Sequence, residues 1–227
     1  MRAATIAEIL TAARELLVTG GTEAVTLRAI AGSLGMTAPA LYRYFGSRER
    51  LLAALIDELY TELAGQLRAA RDADPAAGLK MQFLATSFAF RRWALDHRPE
   101  FGLLFGAPIP GVPDRLAGEE AGTRGQEFGQ VWLELFVELW RQYPKIVPAE
   151  EDVPLPLRKQ LRDYHRQIGE VIPIGAVALY LGCWMRLYGA VATEAFGHLD
   201  FALHDGDAEA LFRDLMHEQA GRLGLTH

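Results

Sequence analysis

The chain has 227 residues, half of them hydrophobic, and can therefore bury a sizeable core without covalent or metal cross-links. Its single cysteine, Cys183, excludes an internal disulfide framework and any cysteine-rich metal site. The formal net charge is −6, yet residues 1–50 carry six Arg against four Glu, so a mildly basic head precedes an acidic body. That asymmetry is weak evidence for a head that binds nucleic acid.

Apolar residues recur at helical spacing along the chain, whereas the alternating Val, Ile and Thr typical of strands are scarce. Gly20-Gly21 and Gly35 are expected to end the first two helices. Thr26, Thr37 and Ser47 stand where N-cap residues would begin the next ones. We predict four helices in this part of the chain, over 5–19, 26–34, 37–45 and 47–70.

The rest of the chain continues in the same pattern after the break DADPAAG at 72–78. Stretches rich in proline and glycine predict long loops at 106–125 and 143–156, the first of them mobile. Further helices are predicted over 79–97, from Pro99 onward, and over 126–142, 157–170, 172–197 and 206–222. The predicted fold is all-α, with about nine or ten helices.

The composition also suggests a division into two domains. We expect residues 1–50 to form one domain, helix 47–70 to connect it, and residues 51–227 to form the second. The longest uncharged run, 171–185, is shorter than the roughly 20 residues that span a bilayer and contains Pro173, so we expect a buried core helix and no membrane contact. The N-terminus lacks the apolar segment of a signal peptide, which favours a cytoplasmic protein.

Helix 26–34, a tight turn at Gly35 and helix 37–45 form a helix-turn-helix pattern. Such a unit places its second helix in the DNA major groove, and helix 5–19 would brace it. Small residues at the front of helix 37–45 would allow close approach to base edges, and a proline is tolerated in the first helical turn. The residues expected to contact DNA are Thr26, Arg28, Thr37, Ala38, Pro39, Tyr42, Arg43, Tyr44, Ser47 and Arg48.

A plainer interpretation is that residues 1–50 form an ordinary helical subdomain. Tyr42 and Tyr44 would then be amphipathic surface groups and Pro39 a simple first-turn proline. Composition and spacing alone leave this alternative open.

The stretch 25–55, VTLRAIAGSLGMTAPALYRYFGSRERLLAAL, closely resembles the DNA-binding signature of the TetR family of bacterial regulators. Residues 41–45, LYRYF, stand where that family has Leu-Tyr-x-His-Phe, with Tyr44 in the place where His is commoner. Arg48 stands where Lys is commoner. The resemblance implies a homodimeric repressor whose second domain binds a small effector.

A second, weaker resemblance lies in WMRLYGAVATEAFGHL, residues 184–199. It is similar to the segment that names the Trp-His-Gly subtype of TetR-like C-terminal domains. Trp184 and Gly189 match that segment, and Glu194 falls where an acidic residue is common. Tyr188 replaces the histidine, so any role of that histidine is in doubt in this chain.

Helix 172–197 has two seams about 100° apart on a 3.6-residue helix, one of small residues and one of bulky residues. Small residues permit close helix–helix approach, and the last helix offers an apolar partner face. We expect a two-fold interface between copies, although both seams could equally pack within one chain. The residues expected at this interface are Gly175, Ala178, Gly182, Met185, Gly189, Leu211 and Leu215.

Aromatic residues concentrate in the second domain, where most must belong to the core. Aromatic side chains with a few polar groups also line small-molecule pockets, so we expect a largely apolar effector. Tyr188, His165 or Glu194 could orient it through a polar contact. The candidate pocket residues are Trp93, Trp132, Phe136, Tyr164, His165, Trp184 and Tyr188.

An enzyme is the first rival interpretation, but the chain lacks GxSxG, HExxH and GxxxxGK[ST] motifs, and its histidines show no metal-ligand spacing. We therefore expect no catalytic residues, no metal and no cofactor. Two binding functions remain as alternatives. One is a TetR-like activator or adaptor that has lost effector-gated repression, and the other is a ligand-sequestering protein with a vestigial head.

Overall fold

A computed structural model describes residues 2–74, 76–112, 123–203 and 207–225. All regular structure in these ranges is helical, which confirms the predicted all-α class. Two short 3-10 helices, Pro144–Ile146 and Glu150–Asp152, lie in the predicted second loop. The α-helices are α1 Arg2–Ala24, α2 Leu27–Ser33, α3 Ala38–Tyr42, α4 Arg48–Arg71, α5 Leu79–Asp96, α6 Arg98–Phe105, α7 Thr123–Gln142, α8 Leu155–Gln167, α9 Ile174–Ala195 and α10 Asp207–Arg222.

The helices form two compact units, and the chain passes between them more than once. The first unit comprises Met1–Ala64 and Asp96–Gly129, and the second comprises Gly65–Leu95 and Gln130–His227. Helices α4 and α7 contribute residues to both. The domain boundary expected near residue 50 stays a prediction.

The predicted helix boundaries agree with the structure to within a few residues, apart from α1 and α3. Helix α1 begins near the N-terminus and continues to Ala24, but its backbone leaves helical geometry at Gly21, which has φ 71°. Helix α3 ends at Tyr42, and a further turn places Phe45 within hydrogen-bond distance of the Leu41 carbonyl. Half of the predicted loop 106–125, residues 113–122, lies outside the described residues, and 123–125 already belong to α7.

In the first unit, α1 packs against α2 and α6, and α2 packs against α3. The side chains at this junction are apolar and almost fully buried, and each buried Leu or Ile contributes about 1.5–3 kcal/mol to folding. They include Ile9, Ala13, Leu17, Ile30, Leu41, Leu51 and Leu55.

A partly buried polar cluster ties three helices of the first unit together. Arg14 of α1 donates to Glu62 of α4 at 2.6 Å and to Glu100 of α6 at 2.9 Å. The His97 ring lies beside both carboxylates. Burial alone would lower the pKa of Arg14, but the hydrogen bonds that Arg14 donates to the two carboxylates, with their negative charge, outweigh it and raise that pKa.

In the second unit, α9 packs against α8 and α10. Its first turn comes so close to the chain that a Cβ at Gly175 would lie 1.9 Å from the Pro148 carbonyl oxygen. Gly175 is therefore buried within its own unit. Ala178, one turn further along, packs against a core cluster that includes Leu161 and Val177.

Arg91 of α5 and Glu194 of α9 form a two-pronged ion pair with hydrogen bonds of 2.7 and 2.5 Å. Both side chains are largely buried, and the Arg91 guanidinium also lies over the Phe212 ring of α10. Removing one partner of such a pair strands the other charge in a desolvated place. The pair thus fixes α9 against α5 and α10.

Helix α9 is, among the described residues, the one helix long and apolar enough to cross a membrane, with a mean hydropathy of 1.4. Of the 18-residue stretch of α9 that meets this test, 44% is buried inside the fold. A core helix passes the same test of length and composition. Its buried face, with Val177, Tyr180, Cys183 and Leu187, lies in the core of the second unit, as expected for the uncharged run.

Candidate nucleic-acid interface and effector cavity

Local hydrogen bonds fix the turn that joins α2 and α3. The Thr26 hydroxyl accepts from the Ala29 backbone N–H at 3.1 Å and caps α2. Gly35 adopts φ 63°, which a residue with a Cβ rarely does, and the Met36 N–H reaches back to the Ala31 carbonyl at 2.8 Å. The chain can therefore begin a new helix only two residues later.

Helix α3 presents two different faces. Leu41 is completely buried, and Phe45 is buried beside it, so these two side chains anchor the helix in the core of the first unit. Thr37, Pro39 and Arg43 are exposed on the outer side. Tyr42 follows Leu41 directly in the sequence, yet 54% of it is exposed.

The polar groups of the outer face are not engaged within the described part of the chain. Thr37 begins α3 without a side-chain capping bond, although its position is that of an N-cap. Arg28, Tyr42 and Arg43 make no hydrogen bond or ion pair among the described residues. Ala38 and Tyr44 are half-buried at the two ends of this face. The outer face therefore holds donors and acceptors that have no partner in the part of the chain that the structure describes.

Arg48, unlike the candidate cations Arg28 and Arg43, is hydrogen-bonded within the described part of the chain. Its guanidinium donates to the Val25 carbonyl at 2.8 Å and to the Thr22 carbonyl at 2.6 Å. These bonds tie the first turn of α4 to the connection between α1 and α2. In this position Arg48 holds the helix-turn-helix together.

Ser47 caps α4 in two ways. Its hydroxyl accepts from the Arg50 backbone N–H at 3.3 Å. A hydrogen bond to the Glu49 carboxylate, together with a backbone amide, holds the pKa of that carboxyl below its usual value. The Ser47 side chain is thus occupied by its own helix.

A small cavity lies in the second unit between α5, α7, α9 and α10. Its empty space, open solvent included, is about 240 Å³, but only about one water-sized group fits inside it. Six of the eight lining side chains are aromatic or aliphatic. The lining residues are Phe83, Trp132, Phe136, Tyr180, Cys183, Trp184, Leu187 and Gln219.

The walls of this cavity are electrically neutral. Burial raises the pKa of the Cys183 thiol to about 12, so the thiol stays protonated at neutral pH. Burial also raises the pKa of the Tyr180 phenol well above its ordinary value. No Asp, Glu, Lys, Arg or His side chain is among the lining residues.

The cavity unites three of the seven predicted pocket residues, Trp132, Phe136 and Trp184. Among the others, Tyr164 stacks on Tyr180 behind the wall, and Tyr188 stacks on Trp184. The His165 Nε2–H donates to the Ile172 carbonyl at 2.8 Å, and Trp93 is buried elsewhere in the unit. Glu194, also considered as an orienting group, is held by Arg91.

Gln219 is the lining residue that the sequence analysis missed most clearly. It lies on the apolar stripe of α10, in line with Phe212 and Leu223. A lone amide on a buried apolar stripe is a visible signal, because burying it costs free energy unless it has a function or a partner.

Exposed apolar side chains also lie on α9 and α10, outside the lining of this cavity. Met185 is 72% exposed, and Leu211 and Leu215 are about two-fifths exposed. A Cβ at Gly189 would meet nothing within 4 Å. Of the predicted interface glycines, Gly189 is thus open, Gly182 has the Arg186 side chain 3.4 Å from where its Cβ would lie, and Gly175 is enclosed.

Comparison with known families decides the identity of the fold. The model of bacterial regulatory proteins of the tetR family matches residues 9–55, and the model of the tetracyclin repressor-like C-terminal domain matches residues 83–218. The chain belongs to the tetR family. This confirms the resemblance read from residues 25–55, while the Trp-His-Gly subtype stays a prediction.

Relatives of this tetR-family protein are regulators as well. HTH-type transcriptional regulators of Mycobacterium tuberculosis and Mycobacterium bovis are 30% identical to it over 194 residues, which cover 84% of this chain and 80% of theirs. The family and these relatives are transcriptional regulators and not enzymes. Among the described residues, no group of three His, Cys, Asp or Glu side chains is placed to hold a metal ion.

Solved structures share the fold over nearly the full length. SCO4313, whose name classes it as a regulatory protein, is 31% identical with a TM-score of 0.73, covering 97% of both chains. A TetR variant of Acinetobacter baumannii, solved with minocycline, is 18% identical with a TM-score of 0.56 and covers 96% of both chains. The second likeness concerns the fold alone.

Proposed function

We propose that this tetR-family regulator is a homodimeric repressor that leaves a pseudo-palindromic operator when a small, largely apolar effector binds. The observation that carries the proposal is the outer face of α3, whose polar groups are exposed and unpaired among the described residues beside a buried anchor. Exposed polar groups without partners do not stabilise the fold, whereas a DNA major groove offers hydrogen-bond partners for them.

The roles on DNA divide along the helix-turn-helix. Thr37, Ala38 and Pro39 approach base edges, where small side chains and a hydroxyl fit. Tyr42, Arg43 and Tyr44 reach phosphates, and Arg43 can also read a guanine. The backbone N–H groups at the helix N-termini that begin at Thr26 and Ser47, together with the Arg28 side chain, contact phosphates and fix the register of the unit on the DNA backbone.

Arg48 has a supporting role in this proposal. Two of its N–H groups donate hydrogen bonds to the carbonyls of Thr22 and Val25. It therefore fixes the angle between α1 and the start of α4. Only the part of its guanidinium that is not bonded to these carbonyls contacts phosphate.

The dimer forms through the exposed apolar face of α9 and α10. Gly182 and Gly189 allow the helices of two copies to approach closely, and Met185, Leu211 and Leu215 are removed from water. A two-fold dimer presents two heads to half-sites about 34–36 Å apart, one turn of DNA.

The effector occupies the cavity between α5, α7, α9 and α10. A solved TetR fold that holds minocycline supports a small-molecule site in this architecture. In this proposal the dimer has two conformations that differ in how its heads are arranged. The effector changes operator affinity only to the extent that its own affinity for these two conformations differs. Helix α4, whose residues belong to both units, is the covalent connection through which the change passes.

The test is operator binding by fluorescence anisotropy, using the DNA upstream of the protein's own gene and a scrambled duplex of equal length. We expect salt-sensitive binding to the first and weak binding to the second. Tyr42→Ala should weaken specific binding by about tenfold, equal to one lost contact of about 1–2 kcal/mol. Glu58→Ala, an exposed position on α4 away from α3, is the matched control.

Each outcome of that experiment decides something. Absence of sequence preference at any salt concentration contradicts the proposal. Operator binding that activates transcription, or activity that survives Tyr42→Ala, supports the activator or adaptor alternative instead.

A further inference from the structure

Two buried polar atoms in the described part of the second unit lack a hydrogen-bond partner, and both belong to side chains that line the same cavity. They are Trp132 Nε1 on α7 and Gln219 Oε1 on α10. Trp132 is 4% exposed and Gln219 is 3% exposed, so bulk water does not reach either side chain freely. Leaving such atoms unpaired costs folding free energy, and native proteins pair most of them.

The orientation of the Gln219 amide is determined by its other end. Its Nε2–H₂ group donates to the Cys183 backbone carbonyl on α9 at 3.2 Å. A flipped amide would set two oxygens against each other, so Oε1 must be the unpaired atom. The indole N–H of Trp132 can only donate. The cavity lining therefore supplies one acceptor, Gln219 Oε1, and one donor, Trp132 Nε1.

The size of the cavity limits what can pair with these two atoms. Only about one water-sized group fits inside it. Nearly all of its lining side chains are buried, and Phe83, Phe136 and Leu187 are at most 3% exposed. Cavities that stay empty in proteins have apolar walls throughout, whereas this one has a donor and an acceptor among its walls. Its shape and its polar atoms together fit a single small, polar molecule.

The two unpaired atoms also exclude an ion. A cation cannot accept from the Trp132 N–H, and an anion cannot donate to Gln219 Oε1. The lining residues include no Asp, Glu, Lys, Arg or His that could neutralise a buried ion. Water is neutral, both donates and accepts, and has the right size. The thiol of Cys183, which also lines the cavity, can add a weak third contact.

We propose that the cavity is the site of one buried structural water that accepts from Trp132 Nε1–H and donates to Gln219 Oε1. The water joins α7 to α10, and the Gln219 amide continues the connection to the backbone of α9. Three helices of the second unit then share one hydrogen-bond network. This inference does not depend on the proposed function. An effector that enters the cavity has to expel the water and move the side chains around it.

The direct test is a crystal structure of the full-length protein without effector, at a resolution that shows ordered water. We expect one density peak inside the cavity, about 2.7–3.2 Å from both Trp132 Nε1 and Gln219 Oε1. A direct hydrogen bond between the two side chains, density for a larger molecule, or a cavity without density would each overturn the proposal.

Nuclear magnetic resonance tests the same water in solution. The chain has four tryptophans, and Trp132→Phe identifies which of the four indole N–H signals belongs to Trp132. A water held in the cavity should give this signal a nuclear Overhauser cross-peak at the water frequency. The rotating-frame version separates that transfer from proton exchange, because the two effects have opposite signs. Trp140, which is 36% exposed, is the internal control, since surface water leaves too fast to give a strong cross-peak.

A variant assigns the water to its acceptor. Gln219→Met keeps the length of the side chain but removes Oε1, so the Trp132 cross-peak to water should disappear. Gln160→Met, at an exposed position of α8, is the matched control and should keep the cross-peak. A cross-peak that survives Gln219→Met would show that Oε1 does not hold the water. The measurements on the unmodified protein decide whether the water is present even if Gln219→Met does not fold.

Discussion

The outer face of α3 and the cavity of the second unit present polar groups in opposite ways. On α3 the polar groups are exposed, and a buried neighbour, Leu41, holds them in place. In the cavity two polar atoms, Trp132 Nε1 and Gln219 Oε1, are enclosed among mainly aromatic side chains. The first arrangement suits a large, charged and hydrated partner such as DNA, and the second suits a small partner that leaves water.

Adjacent residues on α3 provide the sharpest way to test that comparison. Leu41→Ala removes a fully buried side chain and should lower the free energy of unfolding by about 2–5 kcal/mol. Tyr42→Ala, one residue later and half-exposed, should change it by less than about 0.5 kcal/mol while operator binding falls. Urea unfolding followed by circular dichroism measures both. A similar loss of stability in the two variants would show that the outer face has no separate function.

The same contrast explains how much of the molecule could be read from the sequence. The α3 face is built from consecutive residues between Gly35 and Gly46, so its spacing and composition were visible without a structure. The cavity takes residues from four helices far apart in the chain, from Phe83 to Gln219. Helical periodicity predicted which side chains are buried there, but it cannot tell which buried faces meet.

Two particular residues show where local reasoning ends. Arg48 has the sequence position of a phosphate contact, yet backbone carbonyls 23 and 26 residues earlier take its N–H groups. Gly175 has the spacing of the small seam, yet the Pro148 carbonyl lies against it. In both cases a contact with residues distant in the sequence determines the role of the position. The sequence pattern does not show that contact.

The seam on α9 gives the second prediction. Gly175→Ala forces a Cβ against the Pro148 carbonyl oxygen and should destabilise the fold by about 1–3 kcal/mol. Gly189→Ala meets no atom within 4 Å and should raise helix stability slightly, by up to about 1 kcal/mol. Thermal unfolding distinguishes them.

The same pair of variants also tests the dimer. Sedimentation velocity should show weaker self-association for Gly189→Ala, because the added methyl group separates the two copies, and unchanged association for folded Gly175→Ala. Should Gly189→Ala dimerise like the parent protein, the proposed interface lies elsewhere.

The position of Arg48 gives a third, smaller prediction. Arg48→Met keeps the aliphatic stem but removes the bonds to the Thr22 and Val25 carbonyls, so unfolding should become easier by about 1–2 kcal/mol. Operator affinity should fall even at salt concentrations that screen a phosphate contact, because the angle between α1 and α4 is lost. Arg43→Met, on the exposed face, is the control, and its loss of affinity should shrink as salt rises.

The smallest effect is expected at Cys183, and it reports on the cavity without any mutation. Burial raises the pKa of its thiol to about 12, so only about 0.01% is thiolate at pH 8, against roughly 10% for a thiol at its ordinary pKa near 9. Alkylation of the folded protein by iodoacetamide should therefore be slow and should accelerate about tenfold per pH unit between pH 8 and 10. Mass spectrometry follows the rate, and unfolded protein in urea provides the fast reference. Rapid alkylation of the folded protein at pH 8 would show that the wall of the cavity around Cys183 opens readily to solvent, and the contrast between an enclosed cavity and the exposed face of α3 would then be wrong.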